Sequence, residues 1–198
     1  MGDYLKKKKK TNNKYYNNKN LISTGMYPEI GLTKKTKPIN KSEENNNQKI
    51  VKDYLQNLGL RKEIVAGIMG NIQKESSFNP NAINEKDLNN YPSVGLIQWN
   101  LKFYSNAKSV IGDTVKTQIS KVTDGYTNNY QKFIELCNQT NNLTSYHAAY
   151  LFASKVEICD KCNKTFDTYK SSYQAVRSEY ANDFYKRFND PKDTLYWG

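Results

Sequence analysis

An acidic residue at the end of an apolar helix is the strongest chemical signal in the sequence. Ile64, Ile68 and Ile72 recur every four residues, which predicts a helix with one buried face. Glu75 follows Ile72 by three residues and so continues that face. Burial and the negative end of the helix dipole both disfavour the charged carboxylate and therefore favour a protonated acid near neutral pH. Such a group is suited to general acid catalysis, with a buried salt bridge as the alternative role.

A polar loop separates this helix from a short apolar run that ends in groups able to hold a sugar. Two serines and an Asn-Pro pair end the helix, and residues 83–93 are rich in Asn. Residues 94–99 follow as the apolar run and close with the amide of Gln98 and the indole of Trp99. The Gln98 amide can both donate and accept hydrogen bonds. Trp99 is suited equally to stacking on a sugar ring and to anchoring the run in the core.

The composition argues against several other kinds of catalytic site. The one histidine, His147, is too few for zinc enzymes that need two or more His ligands. No cysteine stands in a recognisable nucleophile context. Cys159 and Cys162 have metal-ligand spacing, so a structural zinc completed by Cys137 and His147 stays open beside ordinary thiols. An odd count of three cysteines is unlike a secreted disulfide framework. For catalysis we predict carboxylate chemistry, with no metal and no cofactor.

The first 46 residues form a basic arm that differs in composition from the rest of the chain. The whole chain has 30 basic and 19 acidic residues, and Lys occupies every position from 6 to 10. Low apolar content predicts that the arm is extended or disordered in isolation. Its more apolar centre, residues 21–32, favours docking on a partner, with a solvated tail as the alternative. Nucleic acid is not favoured as the partner, because no known nucleic-acid-binding signature accompanies the lysines.

Beyond the arm, we predict a mainly α-helical domain over residues 47–190 and a short tail at residues 191–198. Apolar residues recur at helical spacing over residues 50–58, 64–75, 101–108, 113–123, 128–139, 144–156 and 164–188. The aromatic residues of the last segment recur every three or four positions, which indicates core packing. No apolar run reaches about 18 residues and none follows the first lysines, so neither a membrane span nor a secretory signal is expected.

The motif between Glu75 and Trp99 resembles the lysozyme-like domain of phage tail lysins and, more distantly, soluble lytic transglycosylases and goose-type lysozymes. The shared pattern is a helix ending in Glu-Ser, then Phe-x-Pro-x-Ala, then Gly, two apolar residues and Gln. The matching residues here are Glu75, Ser76, Phe78, Pro80, Ala82, Gly95, Leu96, Ile97 and Gln98, with Trp99 as in the tail-lysin branch. The resemblance implies a small β-ribbon near residues 83–100 that forms one wall of a cleft.

The same resemblance implies an activity, a location and a set of contacts. The substrate would be the glycan strand of peptidoglycan, cleaved by a muramidase or lytic transglycosylase with Glu75 as the acid. The implied substrate contacts are Ser76, Ser77, Tyr91, Gly95, Gln98, Trp99 and Tyr150. The protein would belong to the virion, with its arm docked on other tail proteins and with no membrane partner. A catalytically inactive tail component with the same fold is the alternative.

A second catalytic carboxylate is not evident from the motif. Glu85, Asp87 and Glu157 are candidates, and each could equally be exposed or ion-paired. In tail lysins a Phe-Glu-Arg-Pro usually closes the late helix, whereas residues 156–159 here read Val-Glu-Ile-Cys, so Glu157 is assigned no role. We therefore expect no carboxyl within range for covalent attack on the sugar. Attack by water or by the 6-hydroxyl of the substrate both remain open.

Overall fold

The computed structural model describes residues 37–85, 87, 91–127, 129–159, 162 and 165–193. Within these residues, α-helices dominate and one small antiparallel sheet is present, which confirms the prediction of a mainly α-helical fold with a β-ribbon. Most of the predicted N-terminal arm and the last five residues of the predicted tail lie outside the described residues.

The first two helices bring the N-terminal part of the domain onto its core. Helix α1 spans Lys41–Asn57 and begins earlier than the predicted domain start, because Asn40 and Glu43 form a reciprocal capping box. Helix α2 spans Lys62–Ser76, and all nine of its residues from 64 to 72 are buried. A helix buried on every side over this stretch must lie at the centre of the fold.

Two glycines let α2 pack closely against two later helices, α5 (Ser145–Phe152) and α7 (Val176–Phe188). A Cβ atom added at Gly67 would lie 2.7 Å from the Cβ of Ala148 on α5. One added at Gly70 would lie 2.3 Å from the carbonyl oxygen of Arg177 on α7. Both distances are too short for any side chain, so these helices touch α2 through their backbones.

The ribbon consists of β1 (Ile83–Asn84), β2 (Ser93–Val94) and β3 (Trp99–Asn100). The strands pair antiparallel in chain order, with Ile83 opposite Val94 and Val94 opposite Trp99. After the ribbon come a 3₁₀ helix at Ser105–Val110, α3 at Val115–Thr123 and α4 at Tyr130–Gln139. Among the residues described, no helix combines the length and apolar character needed to cross a bilayer.

The last part of the chain is more segmented than the sequence predicts. Helix α5 continues directly into a π-helical turn at Ala153–Glu157. The single helix predicted over residues 164–188 is wrong: α6 spans Phe166–Lys170, a 3₁₀ turn spans Tyr173–Ala175, and α7 follows. The break lies at Ser172, whose side chain accepts a hydrogen bond from the backbone N–H of Gln174 and so caps a new helix.

The cysteines form one disulfide, which the sequence analysis did not predict. Cys159 is bonded to Cys162 just after the π-helical turn, and Cys137 is a buried free thiol on α4. Across the described part of the chain, no three His, Cys, Asp or Glu side chains are grouped as metal ligands. The zinc set considered from the sequence is therefore not assembled there.

Candidate active site

Glu75 lies in the last turn of α2, just before the chain reverses direction. Ser77 ends the helix with φ at 50°, and Phe78 follows with φ at 58°. Two successive non-glycine residues in the left-handed region are costly, and such strain is often found at functional sites. Phe78 is fully buried and packs edge-on against Phe184 of α7, with ring centroids 5.8 Å apart, which holds the turn in place. The Glu75 side chain keeps 21% of its surface exposed.

Ser76 fastens the end of this helix to the ribbon. Its hydroxyl donates to the carbonyl oxygen of Leu96 at 2.8 Å, and lies 3.3 Å from that of Ile72. The neighbouring Ser77 is exposed. Of the two serines predicted to touch substrate, Ser76 is therefore used in joining α2 to the ribbon, and Ser77 is accessible.

The Gly95 and Gln98 of the motif build the tight turn between β2 and β3. Both have positive φ, 78° for Gly95 and 53° for Gln98. A Cβ at residue 95 would lie 2.7 Å from the side-chain oxygen of Gln118 and 2.7 Å from Val110. The side-chain nitrogen Nε2 of Gln98 donates to the carbonyl oxygen of Gly95 at 2.9 Å. The spacing of Gly95 and Gln98 in the motif is therefore explained by the turn that these two residues form.

Gln118 on α3 is a buried polar residue that the sequence analysis did not single out. Its side-chain oxygen accepts from the backbone N–H of Leu96 at 2.9 Å, and its nitrogen donates to the carbonyl of Pro80 at 2.7 Å. It thereby joins both ends of the segment between the Glu75 helix and the ribbon turn. The sequence feature that could have indicated this role is the position of a polar residue, Gln118, on the apolar face of a predicted helix.

The two predicted aromatic contacts in the ribbon region have different environments. Trp99 is 1% exposed, and its indole N–H donates to the hydroxyl of Thr127 at 3.3 Å. That burial favours the anchoring role for Trp99 over stacking on a sugar. Tyr91 is half-buried in the loop before β2, and the Lys102 amine lies 5.9 Å from the centre of its ring.

Tyr150, the last predicted contact, belongs to an aromatic cluster between α5 and α6. Its ring centre lies 5.0 Å from that of Phe166 and 5.1 Å from that of Tyr169. His147 stacks on the same Phe166 at 4.5 Å. The contacts of Tyr150 therefore fit a packing role in this aromatic cluster.

Two residues without a predicted role complete the surroundings of Glu75. Arg177, in the first turn of α7, donates from Nη2 to Oε1 of Glu75 and from Nε to Oε2 of Glu157 at 3.2 Å. Its remaining nitrogen, Nη1, donates to the side-chain oxygen of Gln174. The side chains of Arg177 and Glu157 are each 5% exposed. Glu75, Arg177 and Glu157, called the charged triad below, thus place one buried cation between two carboxylates.

Burial dominates the electrostatics of both acids. It raises the pKa of Glu75, and the charge of Asp87 raises it further, against the opposing effects of Arg177 and Lys74. Burial and the charge of Glu75 raise the pKa of Glu157 to about 8, again opposed by Arg177. With both carboxylates ionised, the triad has a net charge of −1 in a dry environment, so the uptake of one proton is favoured.

The aromatic stripe of the last segment gave no signal for Arg177. The prediction that its aromatic residues pack in the core is wrong for Tyr173 and Tyr180, which are 64% and 37% exposed, whereas Arg177 between them is buried. Tyr173 lies in the 3₁₀ turn, outside the regular helix that the spacing predicted. Glu157 was set aside because the residues around it depart from the tail-lysin motif.

The other two acids considered from the sequence, Asp87 and Glu85, differ in their environments. Asp87, in the loop between β1 and β2, accepts a hydrogen bond from the hydroxyl of Ser93, and its charge acts on Glu75. Glu85 is exposed. Asp87 is therefore the ribbon acid whose charge reaches Glu75.

Comparison with known proteins supports the origin that the motif implied. A family model described as phage tail lysozyme matches residues 46–188, a span that includes α2, the ribbon and the whole charged triad. No curated protein sequence matches the chain closely enough to add a nearer relative. The family match confirms the resemblance that the residues between Glu75 and Trp99 suggested. The chain therefore belongs to the phage tail lysozyme family.

Proposed function

We propose that this protein cleaves the glycan strand of peptidoglycan, with Glu75 as the general acid, to open the host cell wall during infection. The observation that carries the proposal is the state of Glu75: its carboxyl has a raised pKa and is still 21% exposed. A proton donor needs both properties, since it must hold a proton near neutral pH and reach the substrate.

The surroundings of Glu75 suit both halves of a proton transfer. Cleaving a glycosidic bond requires a proton for the departing oxygen and leaves a carboxylate behind. Burial favours the protonated acid before the step. Arg177, already hydrogen-bonded to Oε1, would stabilise the carboxylate after it. The contact with Arg177 therefore limits how far burial raises the pKa of Glu75. The acid can then still give up its proton.

The nucleophile is either water or the 6-hydroxyl of the substrate. Glu157 does not suit covalent attack, because its side chain is 5% exposed and its Oε2 is bonded to Arg177. For a hydrolytic reaction we propose Asp87 as the acid that orients the water molecule, since its charge acts on Glu75. Asp87→Asn should then slow a hydrolytic reaction strongly, but should have little effect if the 6-hydroxyl attacks.

The location in the particle is proposed through the arm. We propose that residues 1–36 dock on other tail proteins, so that the domain is carried in the virion. Lys37 already belongs to the folded domain, because its carbonyl accepts from the side chain of Asn79 at 2.9 Å. Deletion of residues 1–36 should therefore leave cleavage of isolated peptidoglycan intact and prevent incorporation into particles.

The deciding experiment compares the wild type with Glu75→Gln on purified cell walls in a zymogram. Glu63→Gln is the matched control, because Glu63 lies on the same helix and bonds α7 through Tyr185 at 3.0 Å. We expect clearing by the wild type and the control, and none by Glu75→Gln, which preserves the shape of the side chain. Full clearing by Glu75→Gln would show that another residue is the acid. No clearing by any of the three would favour a structural tail component.

A further inference from the structure

We infer that Tyr91, Lys102 and Phe103, called the ribbon patch below, form a binding site for a sugar of the glycan strand that carries an acidic stem peptide. The inference rests on the proposed function, because it names the part of peptidoglycan that the ribbon would bind. The Lys102 ammonium would pair with a carboxylate of the stem peptide, and the Phe103 ring would pack against the sugar. Of the three residues, the sequence analysis considered Tyr91 alone.

The ribbon patch places one cation between two aromatic rings. The Nζ of Lys102 lies 5.9 Å from the centre of the Tyr91 ring and 5.6 Å from the centre of the Phe103 ring. Both distances are close to the limit of about 6 Å for a cation–π contact, so the rings hold the ammonium only loosely. Lys102 is exposed, and among the described residues its ammonium forms no salt bridge. It can therefore turn toward a bound anion.

The exposure of Phe103 gives the patch an apolar surface beside the cation. Its side chain is 63% exposed, although burial of a phenylalanine ring is favourable by about 1.5–3 kcal/mol. One exposed apolar residue needs no explanation by itself, but this one lies next to an ammonium group and a second ring. The C–H groups on the face of a sugar ring match an aromatic surface, and the stem peptides of peptidoglycan carry carboxylates. The patch therefore offers a partner for each part of such a ligand.

A single buried residue, Asn100, holds the backbone of all three members of the patch. Its side-chain nitrogen donates to the carbonyl oxygen of Tyr91 at 3.3 Å, and its side-chain oxygen accepts from the backbone N–H of Lys102 at 3.0 Å. Its own carbonyl oxygen accepts from the backbone N–H of Phe103 at 3.0 Å. Asn100 belongs to β3 and is 8% exposed. Because the ribbon fixes this backbone in advance, less conformational entropy is lost when a ligand binds.

The same asparagine connects the ribbon patch to the candidate active site. The side-chain nitrogen of Asn100 also donates to the hydroxyl oxygen of Ser93 at 3.2 Å, and that hydroxyl donates to Asp87. Asp87 is the ribbon acid whose charge acts on Glu75. The patch therefore lies on the ribbon side of Glu75, where neighbouring sugars of a strand cleaved at Glu75 would be held.

The composition of the patch favours a carboxylated sugar over an anionic wall polymer such as teichoic acid. A polymer with a phosphate in every repeat is bound by several cations that follow its backbone. The ribbon patch has one cation with an aromatic ring on either side. This arrangement suits a ligand that has one carboxylate close to a sugar ring.

The test compares two forms of one probe, a soluble peptidoglycan tetrasaccharide that carries its stem peptides. In the second form, the carboxylates are converted to amides, which removes the charge and preserves the shape. Binding is measured by calorimetry with the full chain carrying Glu75→Gln. We expect the charged probe to bind about two- to fivefold more tightly than the amidated one at low salt, as for an exposed ion pair. Adding Lys102→Met should abolish this difference, whereas the control Lys116→Met, at an exposed lysine of α3, should keep it.

Phe103→Ala tests the contact with the sugar. This variant should bind both forms of the probe about fivefold more weakly, because the ring contact does not depend on charge. Lys102 and Phe103 are both exposed, so their replacement should leave the free energy of unfolding unchanged.

Three results would overturn the inference. They are equal binding of the two forms of the probe by Glu75→Gln, a preference for the charged form that survives Lys102→Met, and unchanged binding by Phe103→Ala. Binding of a soluble poly(glycerol phosphate) that depends on Lys102 and exceeds that of the charged probe would likewise assign the patch to a wall polymer.

A failure of the proposed function gives a different result. If Glu75→Gln cleaves the probe, Glu75 is not the acid, and the patch is then tested through kinetics in the wild-type background. Lys102→Met should raise KM for the charged probe by the same two- to fivefold factor, about that of the calorimetric loss, and leave kcat unchanged. An unchanged KM would overturn the inference.

Discussion

The contact between Gly70 and α7 allows the packing of the core to be tested through the active site. In a Gly70→Ala variant, the new Cβ would lie 2.3 Å from the carbonyl oxygen of Arg177 and 2.7 Å from the backbone nitrogen of Ala181. An ordinary contact is about 3.5 Å, so α7 must move by roughly 1 Å. Both opposing atoms belong to the backbone, so no side-chain rotation can relieve the clash.

The expected loss of stability follows from two opposing effects. Overpacking of a tight core costs about 1–3 kcal/mol, and a clash with rigid backbone belongs at the upper end of that range. Alanine is favoured over glycine in a helix by about 1 kcal/mol, which offsets part of the cost. The free energy of unfolding should therefore fall by about 1–2 kcal/mol, as measured by urea denaturation.

The effect on activity should exceed what the lost stability explains. A shift of α7 carries Arg177 away from Glu75 and Glu157, and a misplacement of about 1 Å can cost up to about 100-fold in rate. Leu55→Ala is the control, because Leu55 is fully buried on α1 and its truncation costs about 2–5 kcal/mol without touching the triad. The reasoning fails if Gly70→Ala matches the wild type in stability and rate, or if Leu55→Ala loses as much activity while folded.

Three further predictions concern pH, the disulfide and the products. Because burial raises the pKa of Glu157 to about 8, the folded protein retains a proton that the unfolded chain releases. The free energy of unfolding should then fall as pH rises from the ordinary carboxyl range to about 8, by up to about 1.4 kcal/mol per pH unit. In Glu157→Gln, the midpoint of urea denaturation should depend less on pH over the same range. Reducing agent should lower the melting temperature of the wild type, because a disulfide that closes a small loop stabilises the fold by about 2 kcal/mol in the chain-entropy model. It should have no effect on a Cys159→Ser, Cys162→Ser variant. Mass spectrometry should show no glycosyl-enzyme adduct, and products lighter by one water than hydrolytic ones would identify the 6-hydroxyl as nucleophile.

The fold could be predicted where local patterns and packing agree. Helix α2 combines regular apolar spacing with two glycines, and it is buried as that pattern requires. The final segment was predicted as one helix because its aromatic spacing continues through Ser171 and Ser172. At Ser172, a side-chain hydrogen bond to the backbone ends one helix and begins another. The spacing of the aromatic residues gives no information about such a cap.

The candidate site was predictable from the acid but not from its partners. Glu75 stands out because a charged residue on an apolar stripe is unusual. The motif that follows it indicates a turn through the positions of Gly95 and Gln98. Arg177 is 102 positions further along the chain. Pairing it with Glu75 requires knowing that α2 and α7 run antiparallel, as Tyr185 bonded to Glu63 at the other end of the pair shows. The disulfide likewise depends on the backbone path around Cys159, and spacing alone allowed a metal or free thiols.

The general-acid role proposed for Glu75 carries two conflicting requirements. Burial alone would raise the pKa of Glu75 and make the proton hard to release, whereas a full ion pair with Arg177 would remove the proton before the reaction. An exposed carboxyl avoids the conflict but is ionised at neutral pH. In this protein α7 supplies one cation to two acids: Arg177 is hydrogen-bonded to both Glu75 and Glu157, and Glu157 is the more buried of the two. The environment of Glu75, the proposed proton donor, is thus set by three helical segments, and the close approach at Gly70 fixes the backbone of Arg177 against α2.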